Sequence, residues 1–240
     1  MDLKEENILG DNVKAHWYYR AKLAALQRAI ADIPPVHVLD VGAGSGFFAR
    51  GLIVAGRAIS ATCVDPGYLD EHDELVGSVP LRFRRGLDGQ LPNISLTLMM
   101  DVLEHVPDDI ALVREYVDQI PSGSRVLVTV PAFRWLWSGH DVFLEHYRRY
   151  TLPEVEKVLR AAGLRIEFGN YFYGAVLPVA VMFRFGRKIF GDHGTQAKSD
   201  MRLFNPLLNW LFWTACRFEL PFAKRNRAAG LSVFVRAVKP

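Results

Sequence analysis

Two cysteines in 240 residues, Cys63 and Cys216, leave no CxxC pair and no cysteine/histidine spacing from which a zinc site or a disulfide framework could be assembled. Cys63 lies in the run ISATCVD and reads as a small buried hydrophobe. Long apolar stretches are also missing. The uncharged run YFYGAVLPVAVMF has 13 residues and is interrupted by Pro178, short of the roughly 20 residues a bilayer crossing needs. The amino-terminal MDLKEENILGDN has neither the basic flank nor the apolar stretch of a secretory signal, which predicts a cytoplasmic chain. Internal repeats and low-complexity segments are absent. Lysine and arginine (29) nearly balance aspartate and glutamate (26) for a net +3, but the balance is uneven. Between positions 184 and 227 nine basic residues face three acidic ones, so that segment carries +6 and the remainder −3.

What remains is an ordinary enzyme-sized chain, half apolar and 23% charged, long enough for one sizeable core. From about residue 36 to 170, apolar runs alternate with helix-length amphipathic segments, the pattern of βαβ units around a parallel sheet. The predicted strands are 36–41, 58–64, 81–85, 94–99, 125–130 and 164–171, with a last strand at 231–238. Residues 12–31 carry Val13, Trp17, Leu23, Leu26 and Ile30 at helical spacing and predict one helix stopped by Pro34 and Pro35. Thr151 followed by Glu154 is a capping-box pair and predicts a helix over 152–162, ended by Gly163. The expected organisation is one α/β domain: a helical cap at 1–35, a core at 36–171 and 231–240, and a helical insert at 172–230.

The chemistry starts at VHVLDVGAGSGFF, a strand running into a glycine-rich turn. A dinucleotide fingerprint needs G-x-G-x-x-G, whereas here Gly42, Gly44 and Gly46 are followed by Phe47. Asp40, two places before the first glycine, would repel a pyrophosphate and attract an ammonium group. A sulfonium nucleoside therefore fits better than a dinucleotide, and an NAD-dependent oxidoreductase is the disfavoured alternative. The glycines let the backbone approach a ligand closely, and a helix beginning near Gly46 offers free N–H groups. Asp65 follows the second strand where an acidic side chain can accept from two ribose hydroxyls; alone it reads equally well as a turn residue before Pro66 and Gly67, but together with Asp40 and the glycines the ribose role is favoured. Leu87 and Asp88 sit in a turn at the adenine end of such a site. The fourth strand ends in LTLMMDVLEHVPDD, which puts Asp101, Glu104 and His105 at the carboxyl edge where α/β sheets hold ligands.

The combination DVGAGSG, VDP and MMDVLEHVPDD resembles the class I S-adenosylmethionine-dependent methyltransferases, particularly the small-molecule and quinone-biosynthesis branch. That resemblance implies a Rossmann-like, doubly wound seven-stranded sheet of order 3-2-1-4-5-7-6 with its last strand antiparallel. It also implies S-adenosylmethionine as donor, with S-adenosylhomocysteine as product. The segment PAFRWLWSGHDVFLEHYRRYT is similar to bacterial methyltransferases of polysaccharide, lipid and secondary-metabolite gene clusters, which differ in their acceptors. Asp101, Glu104 and His105 are also similar to the Glu-x-x-Glu-His metal motif of some quinone O-methyltransferases, but with the first glutamate shortened to aspartate, so no metal is assigned.

Methyl transfer from a sulfonium is an in-line displacement, and an oxygen nucleophile needs a base. Candidate catalytic residues are His140 and Asp141 first, then His105 and His146; Tyr147 and Tyr150 are candidate orienters. For each histidine a hydrogen-bonded structural role is at least as good a reading. Trp137, Tyr147, Arg148 and Arg149 are candidate acceptor contacts, the two arginines reading equally as partners of nearby carboxylates. Trp17, Tyr18, Tyr19 and Trp135 suit core or lid packing. The expected reaction is methylation of oxygen, less favourably carbon, on a small or lipid-linked acceptor. A non-catalytic donor- or partner-binding protein is the alternative. For the insert, lid or homodimer helices rank first and peripheral contact with the inner membrane second. Nucleic acid is not expected, because the basic residues lie between apolar stretches.

Overall fold

The computed structural model describes residues 10–87, 89–189 and 205–240, without the side chains of Asp11 and 185–189. Its centre is a sheet of eight strands: β1 Val36–Val41, β2 Ala58–Val64, β3 His72–Val76, β4 Val79–Arg84, β5 Ile94–Met100, β6 Arg125–Pro131, β7 Arg165–Phe172 and β8 Ser232–Val238. They lie in the order β3-β4-β2-β1-β5-β6-β8-β7. Seven of them reproduce the expected order, with β8 antiparallel between β6 and β7.

The eighth strand was not expected. β3 pairs antiparallel with β4 at the sheet edge across a two-residue turn, and Gly77 in that turn takes a φ of +65°. Its sequence HDELV lacks an apolar run because most of it faces water, and its charges suit an exposed edge. A glycine turn flanked by valines was the available signal.

The central strands are largely apolar because both faces are covered, with His37 and Asp40 as the polar residues of β1. Along β1, Val36 and Val38 join one core layer while Leu39 and Val41 join the other, the two-residue period of a strand. The first layer is closed by helices α1 Trp17–Ala29 and α2 Phe47–Val54. The second is closed by α3 Asp109–Val117 and α5 Leu152–Ala161; the short α4, Gly139–Phe143, lies in the connection after β6. The Thr151 N–H donates to Glu154 at 2.6 Å, which completes the expected capping box of α5.

The expected amino-terminal helix is divided. Gly10–Lys14 is a 3-10 turn and His16 is extended (ψ 130°), so α1 starts at Trp17 with the His16 imidazole accepting from the Tyr18 N–H. The insert forms α6 Leu177–Ile189 and α7 Pro206–Glu219, followed by a 3-10 segment Leu220–Arg225. One face of α7 docks on α1. Asn209 Oδ1 accepts from the Trp17 N–H at 2.8 Å, Asn209 Nδ2 donates to the Ala15 carbonyl at 2.9 Å, Phe212 meets the Trp17 ring and Cys216 is fully buried.

Candidate functional site

The carboxyl ends of β1, β2 and β5 converge on the glycine turn. Gly42, Gly44 and Gly46 all have positive φ. At Gly42 (φ +63°) a Cβ would stand 2.7 Å from Val102 Cγ2, so both the backbone and the space demand glycine. Asp40 shares the face of Val38 and points under α2. It is 1% exposed, and neither carboxylate oxygen has a hydrogen-bond partner of good geometry. Burial pushes its pKa up to about 7, with the Ala49 backbone N–H pulling weakly the other way.

Asp65 spans the turn. Oδ2 accepts from the Gly44 N–H at 3.0 Å and Oδ1 from the Gly67 N–H at 2.9 Å. These two bonds give the turn role expected of this residue, and each carboxylate oxygen keeps further lone-pair capacity. Tyr68, not foreseen, donates its hydroxyl to the Gly44 carbonyl at 2.6 Å. Leu87 packs at the rim of the second core layer; Asp88 lies outside the described residues.

Asp101 follows β5 with φ +56°, an unusual conformation that aspartate tolerates better than most residues. It forms an ion pair with Lys22 of α1, and Thr129 Oγ1 donates to it at 3.0 Å. Burial opposes ionisation, but the Lys22 charge and hydrogen bonds outweigh it and hold the Asp101 pKa below the usual range; Lys22, itself fully buried, is raised. Tyr18, one turn before Lys22, accepts from its ammonium at 2.6 Å. Lys22 was missed at the level of sequence. The available signal was a lysine on the same helical face as Leu26 and Ala29, both buried.

Beside this pair Glu104 is completely buried, without a hydrogen-bond partner for either oxygen. Burial and the Asp101 charge push its pKa well up. One ligand atom each of Glu104, His105 and His146 lies within 4.8 Å of the others, close enough to share one small cation. His146 Nδ1 meets Asp141 Oδ1 at 3.0 Å. Asp141 is fully buried, accepts from the Ser138 N–H at 2.8 Å and from Arg149 Nε at 2.6 Å, and is held ionised by the His146 and Arg149 bonds against its burial.

These contacts revise several expectations. Asp141 is committed to His146 and Arg149, which fits a positioning carboxylate and not a proton acceptor. Arg149 is 8% exposed and also donates to the Ala132 carbonyl at 3.1 Å, so its fork is used internally. Arg148 donates to Asp109 at 3.3 Å and to the Pro107 carbonyl at 2.6 Å. Tyr150 donates to Asp109 at 2.9 Å, away from His146. His140 is buried in α4 and its N–H donates to Ser138 Oγ at 3.3 Å. Trp137, Tyr147, Arg148 and Arg149 do line one cleft, of about 870 Å³, but none of the glycine-turn residues does.

The chain is similar to known proteins across this region. A model of the family described as "Methyltransferase domain" matches residues 15–167. An uncharacterized methyltransferase of Mycobacterium sp. (strain JLS) is 30% identical over 133 residues, 53% of this chain and 52% of that protein. An uncharacterized methyltransferase of Mycobacterium tuberculosis (strain ATCC 25618 / H37Rv) is 28% identical over 143 residues, covering 54% and 56%. The chain thus spans about half the length of the curated relatives it matches. Among solved structures, Haemonchus contortus phosphoethanolamine N-methyltransferase 2 with S-adenosyl-L-methionine superposes with a TM-score of 0.58 at 16% identity, covering 99% of this chain and 56% of that one. The [4+2]-cyclase SpnF gives 0.54 at 17% identity, covering 93% and 82%. Likenesses at that identity carry the fold alone, which hosts more than one chemistry. With the glycine turn, the strand order and a family match over most of its length, the chain belongs to the methyltransferase domain family, as a class I S-adenosylmethionine-dependent member.

Proposed function

We propose that this protein transfers the methyl group of S-adenosylmethionine to an oxygen of a small or lipid-linked acceptor. The observation that carries the reading is the buried carboxylate of Asp40, without a partner of good geometry, beside a turn of three positive-φ glycines. A buried carboxylate left without donors is costly, and an amino-acid ammonium supplies both donors and charge. Asp40 then holds the methionine end, Gly42, Gly44 and Gly46 let the backbone approach, and Asp65 accepts from the ribose. Leu87 packs toward the base. Asp101, fixed by Lys22 and Tyr18, closes the site under α1. S-adenosylmethionine supplies an electrophilic methyl on a positively charged sulfur.

On the acceptor side the residues present suit proton removal from a hydroxyl. Asp141 accepts from His146 Nδ1–H, which leaves Nε2 as the basic nitrogen. His146 takes the acceptor proton as the oxygen attacks, and the His105 ring packs edge-on against that of His146 with centroids 4.7 Å apart. Asp141 and Arg149 are positioning residues; Trp137 and Tyr147 contact the acceptor body. His140 serves α4 and is not the base.

Calorimetry with S-adenosylmethionine and S-adenosylhomocysteine tests the donor half. Binding in the micromolar range is expected, and no heat at high micromolar concentration would overturn the reading. A non-catalytic binder would bind donor without ever releasing S-adenosylhomocysteine when offered hydroxylated acceptors.

A further inference from the structure

Helix α7 has two apolar faces. Asn209, Phe212, Trp213 and Cys216 look toward α1, while Leu207, Leu211 and Phe218, continued by Phe222, form a second stripe at spacings of four, seven and four. The second stripe is open to solvent: Leu207 63%, Phe218 76% and Phe222 64% exposed. Trp210 at its flank is 54% exposed, and Met182 and Phe183 on α6 are 65% and 64% exposed. Of fifteen exposed large hydrophobic residues among those described, seven belong to these two helices and an eighth, Phe222, to the 3-10 segment that follows α7. Scattered single apolar residues need no explanation; a cluster of this size does.

The charge around the stripe has one sign. Arg217, Lys224 and Arg225 of the same segment are exposed, Arg217 lying over the Trp213 ring and Lys224 over Phe168. The one acidic residue between positions 205 and 230, Glu219, is engaged inside, accepting from the Gly174 and Ala175 N–H groups at 2.9 and 3.1 Å. The wider segment 184–227 carries +6 in a chain that is otherwise −3.

The patch also sits at the working edge of the sheet. β7 runs parallel to β6, since both pair antiparallel with β8, so α6 leaves the sheet at the edge where β5 delivers Asp101. Arg184 of α6 donates to the Leu136 carbonyl at 2.5 Å, in the connection that carries Trp137 and His140. α7 rests on α1, which carries Lys22.

We infer that the exposed faces of α6 and α7 form a docking surface for an anionic lipid bilayer, with Leu207, Leu211, Phe218 and Phe222 entering the headgroup boundary and the arginines and lysines meeting lipid phosphates. An apolar stripe flanked by cations is the arrangement that interfacial helices use. This deepens the lipid-linked version of the proposed acceptor and rests on that reading for its purpose, since it would bring the site's edge to the surface where such an acceptor lies.

Co-sedimentation of the full chain with vesicles tests it. Binding to vesicles containing phosphatidylglycerol is expected, at least about tenfold stronger than to pure phosphatidylcholine and weakening with salt. Leu211→Glu with Phe218→Glu should lower that binding about tenfold or more, with S-adenosylhomocysteine affinity unchanged as the check of folding. If that pair fails to fold, Arg217→Gln with Arg225→Gln should still lower binding and its salt dependence. Absence of vesicle binding, equal binding to neutral vesicles, or wild-type binding by these variants would overturn the inference. So would a dimer in sedimentation velocity that Leu211→Glu with Phe218→Glu dissolves, which assigns the face to a second copy. Failure of donor binding, by contrast, would sink the proposed reaction and leave the vesicle result standing.

Discussion

Lys22 Nζ reaches across from α1 to ion-pair with Asp101 at the end of β5, and this contact ties the amino-terminal helix to the donor edge of the sheet. Lys22 is fully buried and Asp101 partly so, which gives the pair unequal roles. Removing the lysine leaves a carboxylate without its countercharge at the site. Lys22→Met should therefore cost about 3 kcal/mol in urea unfolding and weaken S-adenosylhomocysteine binding as α1 loosens. A variant with wild-type stability would mean that the ion pair contributes little.

The Asp40 prediction concerns pH. Its pKa is raised to about 7, so the folded chain keeps a proton there that the unfolded chain has lost, and Asp40 makes stability fall as pH rises from about 4 toward 7. Above that range the penalty is constant. An ammonium ligand favours the ionised form, so donor affinity should rise as pH climbs through about 7, with proton release on binding below it. Asp40→Asn should flatten this dependence and weaken binding about tenfold or more. Calorimetry in buffers of different ionisation heat reads both, and an unchanged pH profile in the variant would remove Asp40 from the methionine end.

Why Lys22 escaped notice while Asp40 did not is a matter of range. Asp40, the glycines and Asp65 lie within 26 positions, and strand-turn-helix geometry brings them together without help from elsewhere. The seven main strands were equally legible, because burial on both faces writes itself as mostly apolar runs such as 36–41, 94–100 and 232–238. Lys22 meets Asp101 across 79 positions and Asn209 meets Trp17 across 192, contacts set by helix packing that no local pattern encodes. Arg149 was legible only as a choice. Its sequence setting suited an acceptor fork and a carboxylate partner equally, and the fold supplies the second in Asp141, with the Ala132 carbonyl beside it.

Arg149 supports a third prediction. Arg149→Met leaves Asp141 with one fewer donor in a dry site, so stability should drop by about 3 to 5 kcal/mol. Arg148, whose partners are partly solvated, should give no more than about 1 kcal/mol when changed to Met. Equal losses in thermal or urea unfolding would contradict the assignment of Arg149 to the interior.

At the glycine turn the test separates backbone strain from crowding. Gly42→Ala adds a methyl 2.7 Å from Val102 Cγ2 to a residue with φ +63°. The left-handed conformation alone costs alanine about 1 to 2 kcal/mol. Adding Val102→Ala should recover the crowding part and leave the strain. Donor affinity measured across the single and double variants should then show partial rescue, and no rescue would place the whole effect in the backbone.

The base assignment divides by kinetics. His146→Ala should lower kcat by about 10² to 10⁴, the usual contribution of a general base, with S-adenosylhomocysteine affinity unchanged, because His146 touches no residue of the glycine turn. Asp141→Asn keeps the shape but can present the wrong tautomer of His146, so it should lower kcat in the same direction while leaving donor affinity alone. His140→Ala should affect stability through α4 more than turnover. S-adenosylhomocysteine release in the presence of a hydroxylated lipid fraction gives the rates. Full activity of His146→Ala with loss in His140→Ala would return the base to His140, whose position one turn before Leu144 would then need to open toward the acceptor.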